Sequence, residues 1–410
     1  MHYEVKRLLF KLGRLWLPKK RIVVFMSYPA YQDNARYLYD YVISNRLHIK
    51  YDFTPIWVTM KPHEEGILRS KGINAYYKYR IRGIQYLLSS KVFLFTHLPT
   101  DYRSSIIKGH DTKTIFLNHG IPLKGSPYKP NYIARYMMDI DYIVSTSTLA
   151  SFISGGWLGV HYSKFVVTGY PRNDALLKPY ARDRAEKLLR KLKILNDEAK
   201  EVKVVLYVPT YRYYYDVKRS KLSIEGKGFK NILPLKDENI KYLNNILKRE
   251  NAILIIRYHP LEEYYRMNIL KMLKHVETYS NIKILTTEML LTNDITIYDI
   301  LPRVDILITD YSSIFYDYLL LNKPIIFYHY DVGEYWHKRN AITEVSNFSY
   351  LLPGTIAFTQ DEFLHALNDV LKGNDQHAME RVKLMDLIHY YKDDHSSERV
   401  WYRLMKPFID

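Results

Sequence analysis

Apolar runs rich in β-branched residues alternate with segments of helical periodicity along most of the chain. The runs of the first half predict strands near residues 22–26, 54–59, 92–96, 114–117, 142–145 and 165–168. Those of the second half predict strands near residues 204–208, 253–257, 282–285, 306–309 and 325–328. Because helical segments separate the strands, the pattern indicates βαβ units and therefore parallel sheets.

The two halves of this pattern predict two domains of the same α/β architecture. A basic stretch with helical spacing, about residues 179–203, separates them. The chain has 410 residues, more than the roughly 250–300 that one core usually serves. We therefore predict doubly wound domains over residues 21–180 and 200–375, followed by C-terminal helices over 376–410. Such domains bind ligands beyond the carboxyl ends of their strands, and a facing pair forms a cleft.

Residues 1–20 follow a different pattern, with apolar side chains on one face of a helix and basic ones on the rest. Lys19, Lys20 and Arg21 extend the basic series. This amphipathic pattern is typical of a membrane interface, where each basic residue near anionic lipid contributes about 1 kcal/mol. The alternative is a helix packed on the protein's own core. The charges argue against a signal peptide, and no apolar run is long enough to predict a membrane-spanning helix.

Composition narrows the classes of partner and of chemistry. The chain has 60 Lys and Arg against 43 Asp and Glu, a formal net charge of +17. This charge favours an anionic partner, which is a nucleic acid, a membrane surface or a phosphate-rich substrate. The absence of cysteine from the sequence excludes disulfides, thiol nucleophiles and cysteine-based metal sites.

Polar motifs follow the ends of several predicted strands, as expected for an enzyme of this architecture. They are "LNHGIPLKGSP" (117–127), "TGYPRNDAL" (168–176), "YVPTYR" (207–212), "IRYHP" (256–260) and "TDYSS" (309–313). Neither a dinucleotide-binding fingerprint nor a P-loop is among them, so the sequence supports neither NAD chemistry nor ATP hydrolysis.

The motif of the second half that ends in two serines suggests an anion site. Ser312 or Ser313 fits the N-cap of a helix that begins near Ile314, and the N–H groups of a first helical turn attract phosphate. A cap without a ligand is the alternative. Side chains suited to phosphate oxygens follow other strands of this half, namely Arg212, Arg257 and His259.

His119 is the candidate general base. It follows an apolar strand and precedes Gly120 and Pro122, so a tight turn holds its imidazole at the strand end. Histidine is the side chain that most often exchanges a proton with a reacting group. A structural histidine is the alternative. Lys124 is placed either to contact a phosphate or to face solvent.

Together with "DHSSERV" (394–400), these motifs resemble the CDP-glycerol glycerophosphotransferases that build wall teichoic acid on the cytoplasmic face of Gram-positive membranes. The resemblance runs in order over about residues 117–400. It implies an α/β fold of GT-B type, with two Rossmann-like domains facing across a cleft. It also implies a CDP-glycerol or other CDP-polyol donor, a lipid-linked saccharide acceptor, an anionic membrane surface, no cofactor, no catalytic metal and no nucleic acid.

Carried over by position, the resemblance assigns catalysis to His119, as the base, and to His259, which holds the donor diphosphate with Ser312 and Ser313. It assigns the remaining motif positions to substrate binding: Lys124, Arg172, Asn173, Asp174, Thr210, Arg212, Arg257, Thr309, Asp310, Asp317 and Arg399. The implied reaction is attack of an acceptor hydroxyl on the phosphorus that bears the polyol, with CMP as the leaving group.

Two departures from the family pattern leave the donor polyol open between glycerol and ribitol. Asn340 and His395 stand where the family tends to have glycine. The first strand begins near residue 22, as in the short enzymes that add the first glycerol phosphate, while a polymerase is the alternative. Two other classes stay open: a GT-B glycosyltransferase using a nucleotide sugar, and a nucleic-acid-binding protein that uses the aromatic, basic stretch 210–219.

Overall fold

The structure is a computed structural model of the chain. It describes residues 18–97, 108–123, 137, 139–196, 201–216, 221–224, 233–265, 278–339 and 351–410. These residues form two compact units. The first takes its residues from Met1–Ile121, Tyr128–Ala175 and Ile388–Asp410, and the second from Pro122–Pro127 and Leu176–Leu387.

The first unit contains a parallel sheet of seven strands in the order β3-β2-β1-β4-β5-β6-β7. The strands are β1 (Ile22–Met26), β2 (Thr54–Thr59), β3 (Ala75–Tyr77), β4 (Val92–Phe95), β5 (Lys113–Phe116), β6 (Tyr142–Ser145) and β7 (Phe165–Val167). All five residues of β1 are buried, because Val23 and Phe25 pack into a core on one face and Val24 and Met26 into a core on the other.

The second unit contains a parallel sheet of six strands in the order β12-β11-β8-β13-β14-β15, and a separate antiparallel pair, β9-β10. The strands are β8 (Lys203–Val208), β9 (Tyr213–Asp216), β10 (Lys221–Ile224), β11 (Ala252–Ile256), β12 (Ile282–Ile284), β13 (Ile306–Thr309), β14 (Ile325–Tyr328) and β15 (Thr355–Ala357).

Helices connect the strands of both sheets. In chain order they are α1 (Asp33–Ser44), α2 (Leu47–Lys50), α3 (Pro62–Ser70), α4 (Ile81–Ser89), α5 (Thr148–Leu158), α6 (Asp174–Leu177), α7 (Ala181–Lys191), α8 (Asp237–Arg249), α9 (Pro260–Tyr265), α10 (Thr287–Thr292), α11 (Ile314–Tyr318), α12 (Val332–Arg339), α13 (Gln360–Leu371), α14 (Ala378–Ile388), α15 (Ser396–Val400) and α16 (Lys406–Ile409). A π-helical turn, Trp401–Met405, joins the last two, and its buried Trp401 stacks on Phe53, so the end of the chain packs into the first unit.

Both sheets wind outward from a central strand, β1 in the first unit and β8 in the second, so that the strand order reverses beside it. The predicted doubly wound α/β fold is confirmed, and all eleven predicted strands are present within a residue or two. The sequence pattern missed β3, β15 and the β9-β10 pair. β3 and β15 have three residues each and lie at sheet edges, too short for a periodic signal.

The predicted amphipathic helix lies outside the described residues except for its last part, where two basic side chains bind the protein itself. Lys19 Nζ donates to the carbonyl oxygens of Leu88 and Ser90, each at 3.1 Å, and burial lowers the pKa of Lys19 to about 8. Arg21 Nε donates to the Asp52 carbonyl oxygen at 2.6 Å. Lys19 and Arg21 thus contact the first unit, and whether residues 1–20 bind lipid or the protein's own core stays a prediction. Among the described helices, none has the length and apolar character needed to cross a bilayer.

Candidate active site

A polar network lies at the carboxyl edge of the first sheet, where the segments after β1 and β5 meet the turn after β7. His119, three residues after β5, pairs through Nδ1 with Oδ2 of Asp33, the first residue of α1. Arg172, in a 3-10 turn, donates through Nη1 to Asp33 Oδ1 at 2.6 Å and to the His119 carbonyl oxygen at 2.7 Å. One guanidinium therefore holds both the carboxylate and the backbone of the histidine.

Asn34 and Asn118 fix the backbone around this network. Asn34 Nδ2 donates to the carbonyl oxygens of Leu117 and Asn118 at 3.1 and 3.0 Å, and its Oδ1 accepts from the Arg172 amide at 3.1 Å. Asn118 has a φ of +61°, a conformation that asparagine tolerates better than most residues. Its Oδ1 accepts from the His119 amide at 2.8 Å, which turns the chain so that His119 leaves the buried sheet.

The electrostatics of the network determine which nitrogen of His119 carries the proton. Burial alone would raise the pKa of Asp33, but Arg172 and His119 outweigh it, and the pKa lies well below its ordinary value. An ionised carboxylate only accepts hydrogen bonds, so His119 Nδ1 is the donor and Nε2 of a neutral ring keeps its lone pair. The His119 side chain is 60% exposed. This arrangement can accept a proton from a bound hydroxyl.

A second histidine lies beside the first. His97, two residues after β4, has its ring centroid 4.4 Å from that of His119, and burial lowers the pKa of His97 to about 3. One ligand atom from each of Asp33, His97 and His119 lies within 4.8 Å of the others, a set of types that can bind a divalent transition metal. Arg172 already supplies positive charge to the same carboxylate, which opposes a cation there.

A second network lies at the carboxyl edge of the second sheet. The guanidinium of Arg212 lies between Asp310, which follows β13, and Asp331, which follows β14. Nε is 2.8 Å from Asp331 Oδ2, Nη2 is 2.7 Å from Asp310 Oδ2, and Nη1 donates to the Thr210 carbonyl oxygen at 2.6 Å. The ring centroid of Tyr335 lies 4.6 Å from the guanidinium carbon. All three charged side chains are buried.

Thr210 also belongs to this network. Asp310 Oδ1 accepts from the amide and the hydroxyl of Thr210 at 2.8 and 2.7 Å. Burial alone would raise the pKa of Asp310, but Arg212 outweighs burial and the pKa lies below its ordinary value. The side chains of Thr210, Arg212 and Asp310 therefore bond one another and support the loops after β8 and β13, while their predicted contacts with substrate stay a prediction.

The residues predicted to hold a diphosphate lie close to this edge and are partly accessible. Ser312 and Ser313 are half-buried. Ser313 occupies the N-cap position of α11 without a capping hydrogen bond from its side chain, so the predicted cap is present in position only. His259 is also half-buried, and its ring centroid lies 4.9 Å from that of Tyr211.

The sequence profile of a family described as CDP-Glycerol:Poly(glycerophosphate) glycerophosphotransferase matches residues 9–406. The chain belongs to this family. The resemblance drawn from the motifs is therefore confirmed, and with it the classification as a transferase of teichoic acid biosynthesis.

Three similar proteins place this glycerophosphotransferase among teichoic acid enzymes. It is 26% identical over 385 residues to the teichoic acid poly(glycerol phosphate) polymerase of Bacillus spizizenii, covering 89% of this chain and 87% of the relative. It is also 26% identical over 403 residues to the ribitol-phosphate polymerase TarL of Staphylococcus aureus, covering 94% of this chain and 62% of the relative. A solved structure of the wall teichoic acid polymerase TagF, soaked with CDPG, superposes with a TM-score of 0.74 at 20% identity, covering 98% and 93% of the two chains. The fold of GT-B type is thereby confirmed.

Other motif positions of this glycerophosphotransferase also have internal partners. Arg257 donates through Nη1 to Glu263 and through Nη2 to Thr287 Oγ1 at 3.0 Å. Thr309 Oγ1 donates to the Val208 carbonyl oxygen at 2.8 Å, and Asp317 accepts from the Tyr298 hydroxyl at 2.8 Å. In each case the side chain is buried. Arg257, Thr309 and Asp317 thus support the local structure, and their predicted contacts with substrate stay a prediction.

In the first unit, the motif after β7 binds the C-terminal helices. Asp174 accepts from the amides of Ser396 and Ser397 at 2.8 and 2.9 Å. Arg399 donates to the Thr168 carbonyl oxygen at 2.8 Å. Gly169, with a φ of +81°, leaves room for Ser396, whose Oγ would lie 2.4 Å from an added Cβ. Asp174 and Arg399 therefore connect α15 to this motif, and their predicted role in substrate binding stays a prediction.

Three predicted substrate-binding positions have different outcomes in the structure. Arg172 joins His119, as described above. Asn173 is buried next to it, and neither polar atom of its side chain has a hydrogen-bond partner within the part of the chain that the structure describes. Lys124 lies outside the described residues.

The stability of the protein is expected to depend on pH through Asp174. Burial raises the pKa of Asp174 to about 6, although two amide donors oppose this. Below about pH 4 the carboxyl is protonated in both folded and unfolded states, and above pH 6 folding buries a charge. The contribution to the free energy of unfolding is therefore lost as pH rises through 6, by roughly 3 kcal/mol.

An Asp174→Asn variant isolates the contribution of this carboxyl group to the pH dependence of the free energy of unfolding. Denaturant unfolding of variant and wild type between pH 4 and pH 7 should show the variant's relative stability rising with pH, because asparagine does not titrate. A relative stability that falls over this range would mean that the amides of Ser396 and Ser397 outweigh burial.

Sequence reasoning missed Asp33, Asn34, His97 and Asp331. Each follows a strand of one of the two sheets, which is the signal that identified His119 and Asp310. Six residues, "SYPAYQ" (27–32), separate Asp33 from β1, so the chain itself does not mark Asp33 as a strand-end residue.

Proposed function

We propose that this glycerophosphotransferase transfers glycerol phosphate from CDP-glycerol to a hydroxyl of a lipid-linked saccharide acceptor, releasing CMP, in the priming step of wall teichoic acid synthesis. The observation that carries the proposal is the Asp33–His119 pair, an exposed imidazole with an ionised carboxylate behind it. Family membership supplies the reaction class.

In the proposed reaction the acceptor hydroxyl gives its proton to His119 Nε2 as its oxygen forms a bond to the phosphorus that bears the polyol. The bond between this phosphorus and the CMP oxygen breaks, so that CMP leaves with the electron pair. His259, Ser312 and Ser313 are proposed to hold the diphosphate, and Arg212 to keep the loops after β8 and β13 in shape. Positioning and electrostatic stabilisation suffice for phosphoryl transfer, without a covalent intermediate.

The alternative is a polymerase or a ribitol-phosphate transferase of the same family. The poly(glycerol phosphate) polymerase relative matches over 87% of its length, so a chain of this size suits polymerisation as well as priming. The ribitol-phosphate polymerase relative has the same 26% identity. Asn340 and His395 differ from the family pattern, so the donor polyol is open and both polyols have to be tested.

We further propose that the enzyme works at the cytoplasmic face of the membrane as a peripheral protein. The net charge of +17 supports this placement, because anionic lipid headgroups and a polyanionic product both attract a basic protein. The acceptor carries a lipid, so the reaction has to occur at a membrane surface.

CMP release by the purified protein tests the proposal. The donors are CDP-glycerol, CDP-ribitol and a panel of nucleotide sugars, and the acceptors are a lipid-linked disaccharide with and without one glycerol phosphate. We expect release from CDP-glycerol with the unprimed acceptor. Activity only on the primed acceptor would indicate a later transferase or a polymerase. Activity with a nucleotide sugar alone would contradict phosphotransfer and favour a glycosyltransferase.

A further inference from the structure

We propose that Asp33 is the positioning residue of the transfer reaction, which keeps the proton of His119 on Nδ1, and that Arg172 in turn holds the Asp33 carboxylate in place. The inference rests on the proposed role of His119 as base. Sequence motifs do not mark Asp33, and its assignment comes from the contacts at the edge of the first sheet.

Both oxygens of the Asp33 carboxylate have partners that orient them. Oδ2 faces His119 Nδ1, and Oδ1 accepts from Arg172 Nη1 at 2.6 Å. The same Nη1 donates to the His119 carbonyl oxygen at 2.7 Å, so the distance between the carboxylate and the imidazole does not depend on one contact alone. Arg172 is buried, with 2% of its side chain exposed.

The backbone at Asp33 supports a positioning role. Its φ of +60° lies in the left-handed region, which costs free energy for a residue with a side chain. Backbone conformations of this kind cluster at functional sites, where the surrounding structure compensates for them. Here the Asp33 side chain accepts from the Asn34 amide at 2.8 Å, and Asn34 bonds the strand-end carbonyls next to His119.

Of the three described groups that face His119, the Asp33 carboxylate supplies the charge that favours proton transfer to the ring, and the other two do not cancel it. Asp33 from α1 is ionised and stabilises the imidazolium that forms on proton transfer. His97, from the segment after β4, is half-buried, and loss of hydration lowers its pKa, so it stays neutral and adds no opposing charge. Arg172, from the turn after β7, is neutralised by Asp33. A neutral His119 with its proton on Nδ1 presents the Nε2 lone pair to the acceptor, the same logic by which the triad aspartate acts in serine proteases.

Asp33→Asn tests the inference because an amide can donate to Nδ1 and thereby move the proton to Nε2. We expect kcat to fall roughly 10²-fold with little change in the donor KM, since the residue acts through the base. We expect the acid limb of the kcat/KM profile to move to lower pH, because imidazolium loses its carboxylate partner. In ¹⁵N NMR of histidine-labelled protein, His119, assigned by its loss in His119→Gln, should change from the Nδ1–H to the Nε2–H tautomer.

Asp40→Asn is the matched control. Asp40 lies on the same helix and bonds Tyr31 and Arg36 rather than His119, so its variant should keep the wild-type rate and tautomer. Asp33→Glu retains the charge and should recover part of kcat. Because Asp33→Asn leaves Arg172 without its carboxylate, the double variant Asp33→Asn/Arg172→Gln removes both charges and provides a second test if the single variant unfolds.

The outcomes separate this inference from the proposed function. If a folded Asp33→Asn or double variant has the wild-type kcat, pH profile and His119 tautomer while His119→Gln is inactive, the role of Asp33 is overturned and His119 remains the base. Full activity of His119→Gln would overturn the proposed base itself. Activity that disappears with EDTA and returns with a divalent metal would instead make Asp33, His97 and His119 a metal site and would also overturn the inference.

Discussion

Replacing His119 with glutamine is expected to lower kcat for polyol-phosphate transfer by about 10²–10⁴-fold, the contribution that a positioned general base usually makes. Glutamine is close in size to histidine and can keep a hydrogen bond to Asp33, but it cannot accept the hydroxyl proton. The His119 side chain is 60% exposed, so its removal should leave the free energy of unfolding nearly unchanged. Affinity for the donor should also persist, because the substitution leaves the proposed diphosphate-binding residues, His259, Ser312 and Ser313, unchanged.

His110→Gln is the matched control for this prediction. His110 is likewise exposed, and its Nδ1 lies 2.7 Å from the carboxylate of Asp111, so it shares both the accessibility and the acid partner of His119. Steady-state release of CMP at saturating donor, with thermal unfolding of each variant, provides the comparison. If both variants retain wild-type kcat, the proton goes elsewhere and the assignment of His119 is wrong.

The sequence predicts most of this fold because the central strands are buried on both faces. In β1 and β13 every residue is buried, and continuous apolar runs of this kind are visible without any knowledge of the partner strands. The sequence does not predict β3 and β15, because a strand of three residues at a sheet edge shows no periodic pattern. The packing of Trp401 into the first unit was also unpredicted, since only the folded chain brings it to Phe53.

The candidate site is less predictable, since its contacts join distant parts of the chain. The position of His119 after an apolar strand made it a candidate base, and the family resemblance assigned it that role. Asp33 is 86 residues away, and only the strand order β1-β4-β5 brings the two segments to one edge. Residue type also says little about burial: Arg212 has the chemistry of a phosphate ligand, yet its guanidinium is enclosed by two carboxylates.

Replacing Arg212 with methionine is expected to lower the free energy of unfolding by about 3–5 kcal/mol, the usual cost of removing one partner from a buried ion pair. Asp310 and Asp331 would be left buried without their cation, and Arg212 also contacts the ring of Tyr335. Typical domains have only about 5–15 kcal/mol of stability. Arg212→Lys should rescue little, because an ammonium cannot reproduce the bonds that Nε, Nη1 and Nη2 make.

Denaturant unfolding at several pH values checks the cause. In the wild type Arg212 keeps the pKa of Asp310 low. The stabilisation that the ion pair gives the folded state is therefore present at pH values above the pKa of an unfolded aspartate, and it is lost as pH falls through the pKa of Asp310 in the folded state. Without Arg212, the Asp310 carboxyl protonates more readily, so the difference in free energy of unfolding between variant and wild type should shrink toward pH 4. Arg184→Gln, which breaks an ion pair with a 62% exposed arginine, should cost no more than about 1 kcal/mol. An Arg212→Met loss that stays constant with pH would show that packing, not unpaired charge, makes this residue necessary.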